Sequence, residues 1–451
     1  MKINGIVLAA GKGTRMKSKY SKVLHSIIDK PILAYVTDRL RAVTKTSPIV
    51  VVGHGGSDIK EYFGDSLVYR VQREQLGTGD AVKSGVEALS DEDGVFVLCG
   101  DTPLLEEGTL RGMLDLFIAG GYGGVVLTAV LEDSTGYGRI IKDGNGDLLR
   151  IVEEKDASIE EKLVKEINSG AYIFNRELLV SALALLKNNN AQGEYYLTDI
   201  LEIMRNKGEK VGTFQVEDSD EILGINNRVQ LEEATRILRK RVNERAMLAG
   251  ATVEDSASVY LGEDVIIGKD VMIGPNVRIS GKSIIEDDVI IGPNCIIEDS
   301  FIGQGTNVVA SVILDSQVGA DCNIGPFAYL RPLNSLGDKV KVGDFVELKK
   351  SIVGSGSKIP HHSYIGDSVV GEGVNVGAGT ITCNYDGVNK HQTIIEDGAF
   401  IGSNTNLVAP VRVGREAYIG AGSTITSDVP DGALGLERNK LKIIENWKDK
   451  K

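Results

Sequence analysis

The chain has 451 residues, 42% of them hydrophobic, enough for two or three domains with cores of their own. Its net charge of −13 excludes a general nucleic-acid-binding surface, so basic clusters have to be read as local sites. The four cysteines, at 99, 295, 322 and 383, form no C-x-x-C pair and suit the reduced thiols of a cytoplasmic protein. No secretory leader pattern opens the sequence, and no apolar run of about 18 residues suggests a membrane span.

Residues 3–9 read as a buried first strand, with Ile3, Ile6, Val7 and Leu8 supplying the apolar run. Gly11 and Gly13 follow at once and free the backbone for a tight loop whose N–H groups can face an anion. Lys12, Arg15, Lys19 and Lys22 rim that loop with positive charge, a pattern suited to phosphate. It is not a P-loop, which needs a Gly-Lys-Ser/Thr ending, and Met16 stands where a dinucleotide fingerprint has its third glycine. A plain glycine turn fits the same few residues.

Further strands are expected over 49–53, 95–98, 124–131 and 171–174, and helices over 31–44, 78–89 and 177–186. Such alternation predicts an α/β domain with a mostly parallel sheet, which binds ligands at the carboxyl ends of its strands. Asp101, in Cys-Gly-Asp-Thr-Pro after the strand at 95–98, is placed to hold a divalent metal or to cap a turn. Gln72, with Gly77 and Thr78, reads as a base-recognition loop or as a turn with a threonine cap.

From 226 to 250 the pattern becomes one long charged helix. Leu231, Ala234, Leu238, Val242 and Ala246 recur on one face, and Gly250 is a stop. After it the period changes to six. Val253, Val259, Val265, Val271 and Val277 keep step, as do Ile395, Ile401, Leu407, Val413, Ile419 and Ile425. Neither an α-helix nor an alternating strand holds that period, whereas a parallel β-helix with three hexads to a coil does. The rhythm breaks over 382–393, where a loop must leave the coil.

Together, Leu-Ala-Ala-Gly-Lys-Gly-Thr-Arg-Met, the Gly-Asp-Thr-Pro tip, Asn168-Ser169-Gly170 and the hexad half resemble the bacterial bifunctional N-acetylglucosamine-1-phosphate uridyltransferase / glucosamine-1-phosphate N-acetyltransferases. His361, Asn384-Tyr385 and Arg438 make the resemblance specific. It implies a Rossmann-like nucleotidyltransferase domain over 1–227, a linker helix over 228–250 and a left-handed parallel β-helix acetyltransferase domain over 251–451.

In the first domain the resemblance implies transfer of a uridylyl group from UTP to N-acetylglucosamine 1-phosphate. Leu8, Ala9, Ala10 and Gly11 hold the nucleotide, while Arg15 and Lys22 neutralise phosphates. Gln72, Gly77 and Thr78 read uracil; Gly138, Glu153 and Asn168 hold sugar and ribose; Asp101 and Asn226 hold Mg2+. Such transfer needs positioning and charge neutralisation more than a covalent catalyst, and Asp and Asn oxygens suit a hard cation. Taken alone, Glu153 sits in an ordinary solvated charge run and Lys22 is an ordinary surface lysine. Cys99 stands where many relatives carry another residue.

In the second domain the implied reaction is acetyl transfer from acetyl-CoA to glucosamine 1-phosphate. His361 is the general base, in a range suited to neutral pH. His362 follows it directly, and only the motif selects between them. Arg331 and Lys349 bind the sugar phosphate, Tyr364 and Asn375 the sugar. Ala378, Asn384, Tyr385, Ser403, Ala421 and Arg438 line the acetyl-CoA path. Coil-building gives no reason for an arginine at 331. The basic residues after Arg438 (Lys440, Lys442, Lys448, Lys450 and Lys451) read as a soluble tail or as a cover over CoA phosphates. The resemblance further implies a cytoplasmic homotrimer with neither nucleic-acid nor membrane partners. A single-activity nucleotidyltransferase whose solenoid only assembles is the alternative, and a non-enzymatic scaffold a third reading.

Overall fold

The computed structural model describes residues 1–11, 13–53, 56–438 and 440–447; Lys12, Lys448, Lys450 and Lys451, named above, lie outside them. The chain divides into two compact units, Met1–Leu238 and Arg239–Lys451. The division falls inside the helix Arg228–Leu248.

Unit 1 is built on a nine-stranded sheet. Its strands are β1 (Ile3–Ala9), β2 (Ile49–Val52), β3 (Val68–Val71), β4 (Gly94–Cys99), β5 (Gly124–Val130), β6 (Arg139–Lys142), β7 (Leu148–Val152), β8 (Glu166–Asn175) and β9 (Val211–Gln215). Seven lie in the order β9-β5-β8-β4-β1-β2-β3, and β6 joins β7 to β8 at the side. β1 is parallel to β2 and β4, while β8 runs antiparallel to β4 and β5.

The central strands are largely apolar because both faces are covered. Val7, Phe96 and Leu98 pack with Leu33, Leu40, Met113 and Phe117 on one side. Ile6, Val95 and Val97 pack with Val82, Phe174, Leu179 and Leu201 on the other. The edge strand β3 is largely exposed, which left its apolar signal too weak to stand out in the sequence.

Unit 2 is a triangular solenoid whose walls are parallel sheets of eleven, ten and nine strands. Each strand pairs with the one a coil later: Ile273 with Ile291, Ile279 with Ile297, Ile285 with Ile302. Those six residues are buried and stack as the core. The hexad positions Val259, Val271, Val277, Ile395, Ile401, Leu407, Val413, Ile419 and Ile425 are buried likewise, whereas Val253 and Val265 in the first coil are half-buried. The expected break is a local lengthening of one coil. Ile352 pairs with Val369, but Val369 pairs with Ile394, and the loop between Ile381–Cys383 and Thr393–Ile395 takes up the extra residues.

The part of the helix within unit 2 docks on the first coil. Asn243 is fully buried there, its Nδ2 donating to the carbonyls of Ser256 and Val259 at 3.0 Å each. The guanidinium of Arg239 lies over the Tyr260 ring at 5.0 Å.

Candidate active sites

In unit 1 the loop leaving β1 opens onto a cavity of about 290 Å3 at the carboxyl end of the sheet. Leu8, Ala9, Ala10, Gly11, Lys22, Gln72, Gly77, Thr78 and Asp101 all line it. Gly13 turns the loop with a φ of 58°, and a Cβ there would stand 2.8 Å from Lys22 Cβ; this is a position where glycine is required. Met16 is buried at the foot of the turn.

Lys22, partly buried, reaches the Asp101 carboxylate with its ammonium and Asn226 Oδ1 at 3.2 Å. Arg15 donates to the same Asn226 oxygen at 2.9 Å. A backbone bond from Ile225 to the Asp101 carbonyl, 2.9 Å, ties the two segments together. Two hard oxygen donors therefore converge on a spot already held by a cation, and the residues fit a divalent ion with few protein ligands.

Across the cavity, Gln72 is buried, and its Nε2 donates to the Gly77 carbonyl at 3.1 Å and to Asp80 at 2.9 Å. Gly77 has a φ of 113° and lies so close to Tyr195 that a Cβ would come within 2.6 Å of its carbonyl. Thr78 opens the helix Thr78–Val86, and its hydroxyl accepts from the Leu197 amide at 3.0 Å.

Gly138, Glu153 and Asn168 form a second group. A Cβ on Gly138 would lie 3.6 Å from both Asn168 Cβ and Glu153 Oε2, and the Asn168 amide donates to the Gly138 carbonyl at 2.9 Å. Burial pushes the Glu153 carboxyl up, partly countered by a bond from Thr198. Cys99 links this group to the cavity: it lines the cavity, and its Sγ lies 3.6 Å from the Gly170 carbonyl. Burial raises its thiol to about 12, so it is held as the unreactive SH form.

In unit 2, Arg331 NH1 meets Glu347 Oε1 at 2.9 Å, a partner the coil pattern did not reveal. Lys349 follows on the same strand as Glu347. The neighbouring Lys390 holds the Lys349 ammonium below its ordinary value, with loss of solvent and then repulsion from Arg331 adding to it. An anion placed among these three cations would relieve it. Tyr364 pairs with Glu347 in register, and its hydroxyl lies 3.5 Å from Asn384 Nδ2, which also donates to Asp367 at 2.5 Å. Tyr385 and Lys390 bridge across the 384–392 loop.

The corner beside this group carries His361. It ends the strand Lys358–His361 in register with Asp344, and its Nδ1 lies 2.5 Å from Asp344 Oδ1. His362 is not a strand residue at all. With a φ of 44° it turns the corner, and its ring stacks on Phe345 at 5.0 Å, which in turn stacks on Phe327.

Below it the corner is made of small residues. The Gly379 amide bonds to the His362 carbonyl, Asn404 to Ala378, and Gly422 to Ser403. Ala378, Ser403 and Ala421 thus form a column along successive coils. A Cβ on Gly377 or Gly402 would stand 2.6 Å from the Ser403 amide or 2.5 Å from that of Ala421. Asn375, on the same wall as the His361 strand, pairs with Lys358. Arg438 is exposed beyond the last coil.

Residues 5–192 match the MobA-like NTP transferase domain, and 264–299 and 392–427 match the bacterial transferase hexapeptide (six repeats). The chain is 52% identical to the bifunctional protein GlmU of Heliobacterium modesticaldum, covering 100% of this chain and 98% of that protein. With the GlmU of Clostridioides difficile it shares 51% over the same fractions.

The chain belongs to the GlmU family.

As a GlmU-family enzyme it carries a uridyltransferase and an acetyltransferase activity, on a nucleotidyltransferase domain and a left-handed β-helix of hexapeptide repeats. Four neighbours of these GlmU sites escaped the sequence reading. Gln75 donates to the Ala10 carbonyl at 2.5 Å, and Glu194 lines the same cavity. Asp344 and Lys390 meet His361 and Lys349 only because coils stack. The one available signal was spacing: Asp344 precedes His361 by close to a coil length.

Proposed function

We propose that the two activities act in sequence on one sugar. In residues 251–451 the amine of glucosamine 1-phosphate attacks the thioester carbonyl of acetyl-CoA. The C–S bond breaks and coenzyme A leaves as the thiolate. The amine's proton passes to His361 Nε2 and then to that sulfur. Arg331 and Lys349, joined by Lys390, receive the sugar phosphate; Tyr364 and Asn375 hold the sugar. The column of Ala378, Ser403 and Ala421, with Asn384, Tyr385 and Arg438, lines the path of acetyl-CoA.

In residues 1–227, with 228–250 as linker, the phosphate oxygen of N-acetylglucosamine 1-phosphate attacks the α-phosphorus of UTP, and pyrophosphate leaves. The nucleophile is ionised at neutral pH, so no base is needed. The backbone of Leu8, Ala9, Ala10 and Gly11 supports the nucleotide, Gln72, Gly77 and Thr78 the uracil, and Gly138, Glu153 and Asn168 the sugar and ribose. Arg15 and Lys22 neutralise phosphate charge. Asp101 and Asn226 would hold Mg2+, which when bound would further neutralise the triphosphate.

The observation that carries this reading is the position of His361. It is bonded through Nδ1 to a carboxylate, beside a cation cluster and at the head of a column of small residues. A solenoid serving assembly alone has no use for that set. Hexapeptide repeats support a homotrimer. No described helix is long and apolar enough to cross a membrane. We read the enzyme as cytoplasmic.

Incubation with glucosamine 1-phosphate, acetyl-CoA, UTP and Mg2+ should yield UDP-N-acetylglucosamine by mass spectrometry. Omitting acetyl-CoA should abolish it, and N-acetylglucosamine 1-phosphate should restore it. Accumulation of the unacetylated UDP-sugar as the main product would reverse the proposed order.

A further inference from the structure

The contact between Asp344 and His361 has a chemical direction. Among the described neighbours of Asp344, the His361 bond is the foremost influence on its carboxyl, holding it below the ordinary range, so at neutral pH the group is an anion that only accepts. An imidazole nitrogen 2.5 Å from such an anion must carry the hydrogen. The other nitrogen, Nε2, is then the one with the free lone pair.

The backbone fixes this pairing as well. Asp344 and His361 are register partners on adjacent coils, and the His362 amide donates to the Asp344 carbonyl at 2.9 Å. One residue on, Phe345 stacks against His362. The two coils are thus clamped on both sides of the pair.

We infer that Asp344 is a positioning residue for acetyl transfer: it holds His361 in the Nδ1–H tautomer, aims Nε2 at the substrate amine, and stabilises the imidazolium formed when that amine loses its proton. This rests on His361 being the base. The step itself is unchanged: the proton leaves the amine for Nε2 as the N–C bond forms, and Nδ1 keeps its own. A carboxylate beside a histidine raises its basicity and fixes its ring. Other charges on the strands packed here are Lys341, on the strand of Asp344, and Lys358, on the strand of His361; the strand on the far side presents neutral Asn375. His362 adjoins the pair, and around the corner Glu347 is held by Arg331.

The test compares His361→Ala, Asp344→Asn and Asp344→Ala in the full chain, with acetyl-CoA binding by calorimetry as the control for folding. Asparagine still accepts from Nδ1–H but has no charge. In Asp344→Asn the lost charge should weaken the support of the imidazolium while the ring stays held. The kcat of that variant should fall several-fold with the KM for glucosamine 1-phosphate near that of the parent. Asp344→Ala, which also frees the ring, should lose more kcat. If Asp344→Asn does not bind acetyl-CoA, Asp344→Ser replaces it in the same comparison. Loss of acetyl transfer in His361→Ala together with a parental kcat in both Asp344 variants would overturn the inference alone. Retained transfer in His361→Ala would overturn the choice of base and the inference with it.

Discussion

The ammonium of Lys22 rests against the carboxylate of Asp101, and the same nitrogen reaches the side-chain oxygen of Asn226. A positive charge is thus held where the strand tip of β4 meets the segment leading into the long helix. Removing Asp101 leaves Lys22 without its main counter-charge and takes away one oxygen donor.

Asp101→Ala is therefore expected to raise the Mg2+ concentration needed for half-maximal uridylyl transfer. Its rate at saturating Mg2+ should fall by roughly 10²-fold, in line with loss of one group that stabilises transition-state charge. Acetyl transfer should match the parent. A metal titration that superimposes on the parent's would remove Asp101 from the metal site.

His361→Ala is expected to lower acetyl transfer by about 10²–10⁴-fold, the usual contribution of a general base. His362→Ala should leave most of that rate, since His362 stacks on Phe345 at the corner. Uridylyl transfer should be unaffected by either change. Rates of both half-reactions on each variant settle the matter, and a severe acetyl-transfer defect confined to His362→Ala would exchange the two roles.

Gly402 has no room for a side chain: a Cβ would stand 2.5 Å from the Ala421 amide nitrogen and 2.6 Å from the Ile419 carbonyl. Gly402→Ala must push two coils apart along the column that includes Ser403 and Ala421. A several-fold higher KM for acetyl-CoA and a lower melting temperature are expected, with uridylyl kinetics intact. Parental values for both would mean that the corner yields freely and does not shape the path.

Burial, with Glu202, Glu153 and Asp156 nearby, pushes the Asp199 carboxyl up to about 6 from its ordinary 3.8. Between those two values the folded chain binds more protons at this position than the unfolded chain does. Asp199 therefore lowers stability as pH rises from about 4 to 6, and the penalty is complete above 6. Asp199→Asn should raise the melting temperature at pH 8 by about 2–4 °C, and the gain should shrink as the pH is brought down toward 4. Melting curves over that range would contradict the assignment if the gain were constant or grew with acid.

The legible parts of the molecule were those in which one signal repeats. Ile395, Ile401 and Leu407 each face the same interior, so the period of six announced the solenoid from sequence alone. The glycine loop was legible because Gly13, Lys22 and Arg15 lie within a few residues of one another. Contacts made by distant segments were not. Glu194 arrives at the cavity beside the glycine loop from far along the chain, and Lys390 reaches Lys349 from a loop whose length hides its destination. β3 was missed for another reason: an exposed edge strand has no need of a continuous apolar run.

Asn243 has a consequence for self-association. A stack of parallel strands ends in a row of unpaired amides and carbonyls, and such a rim invites another chain to continue the ladder into a fibre. Here the amide of Asn243 takes up the carbonyls of Ser256 and Val259, and the helix that carries it sits over the starting coil. The coil therefore begins against a stopper made from its own polypeptide, which blocks runaway growth from that end.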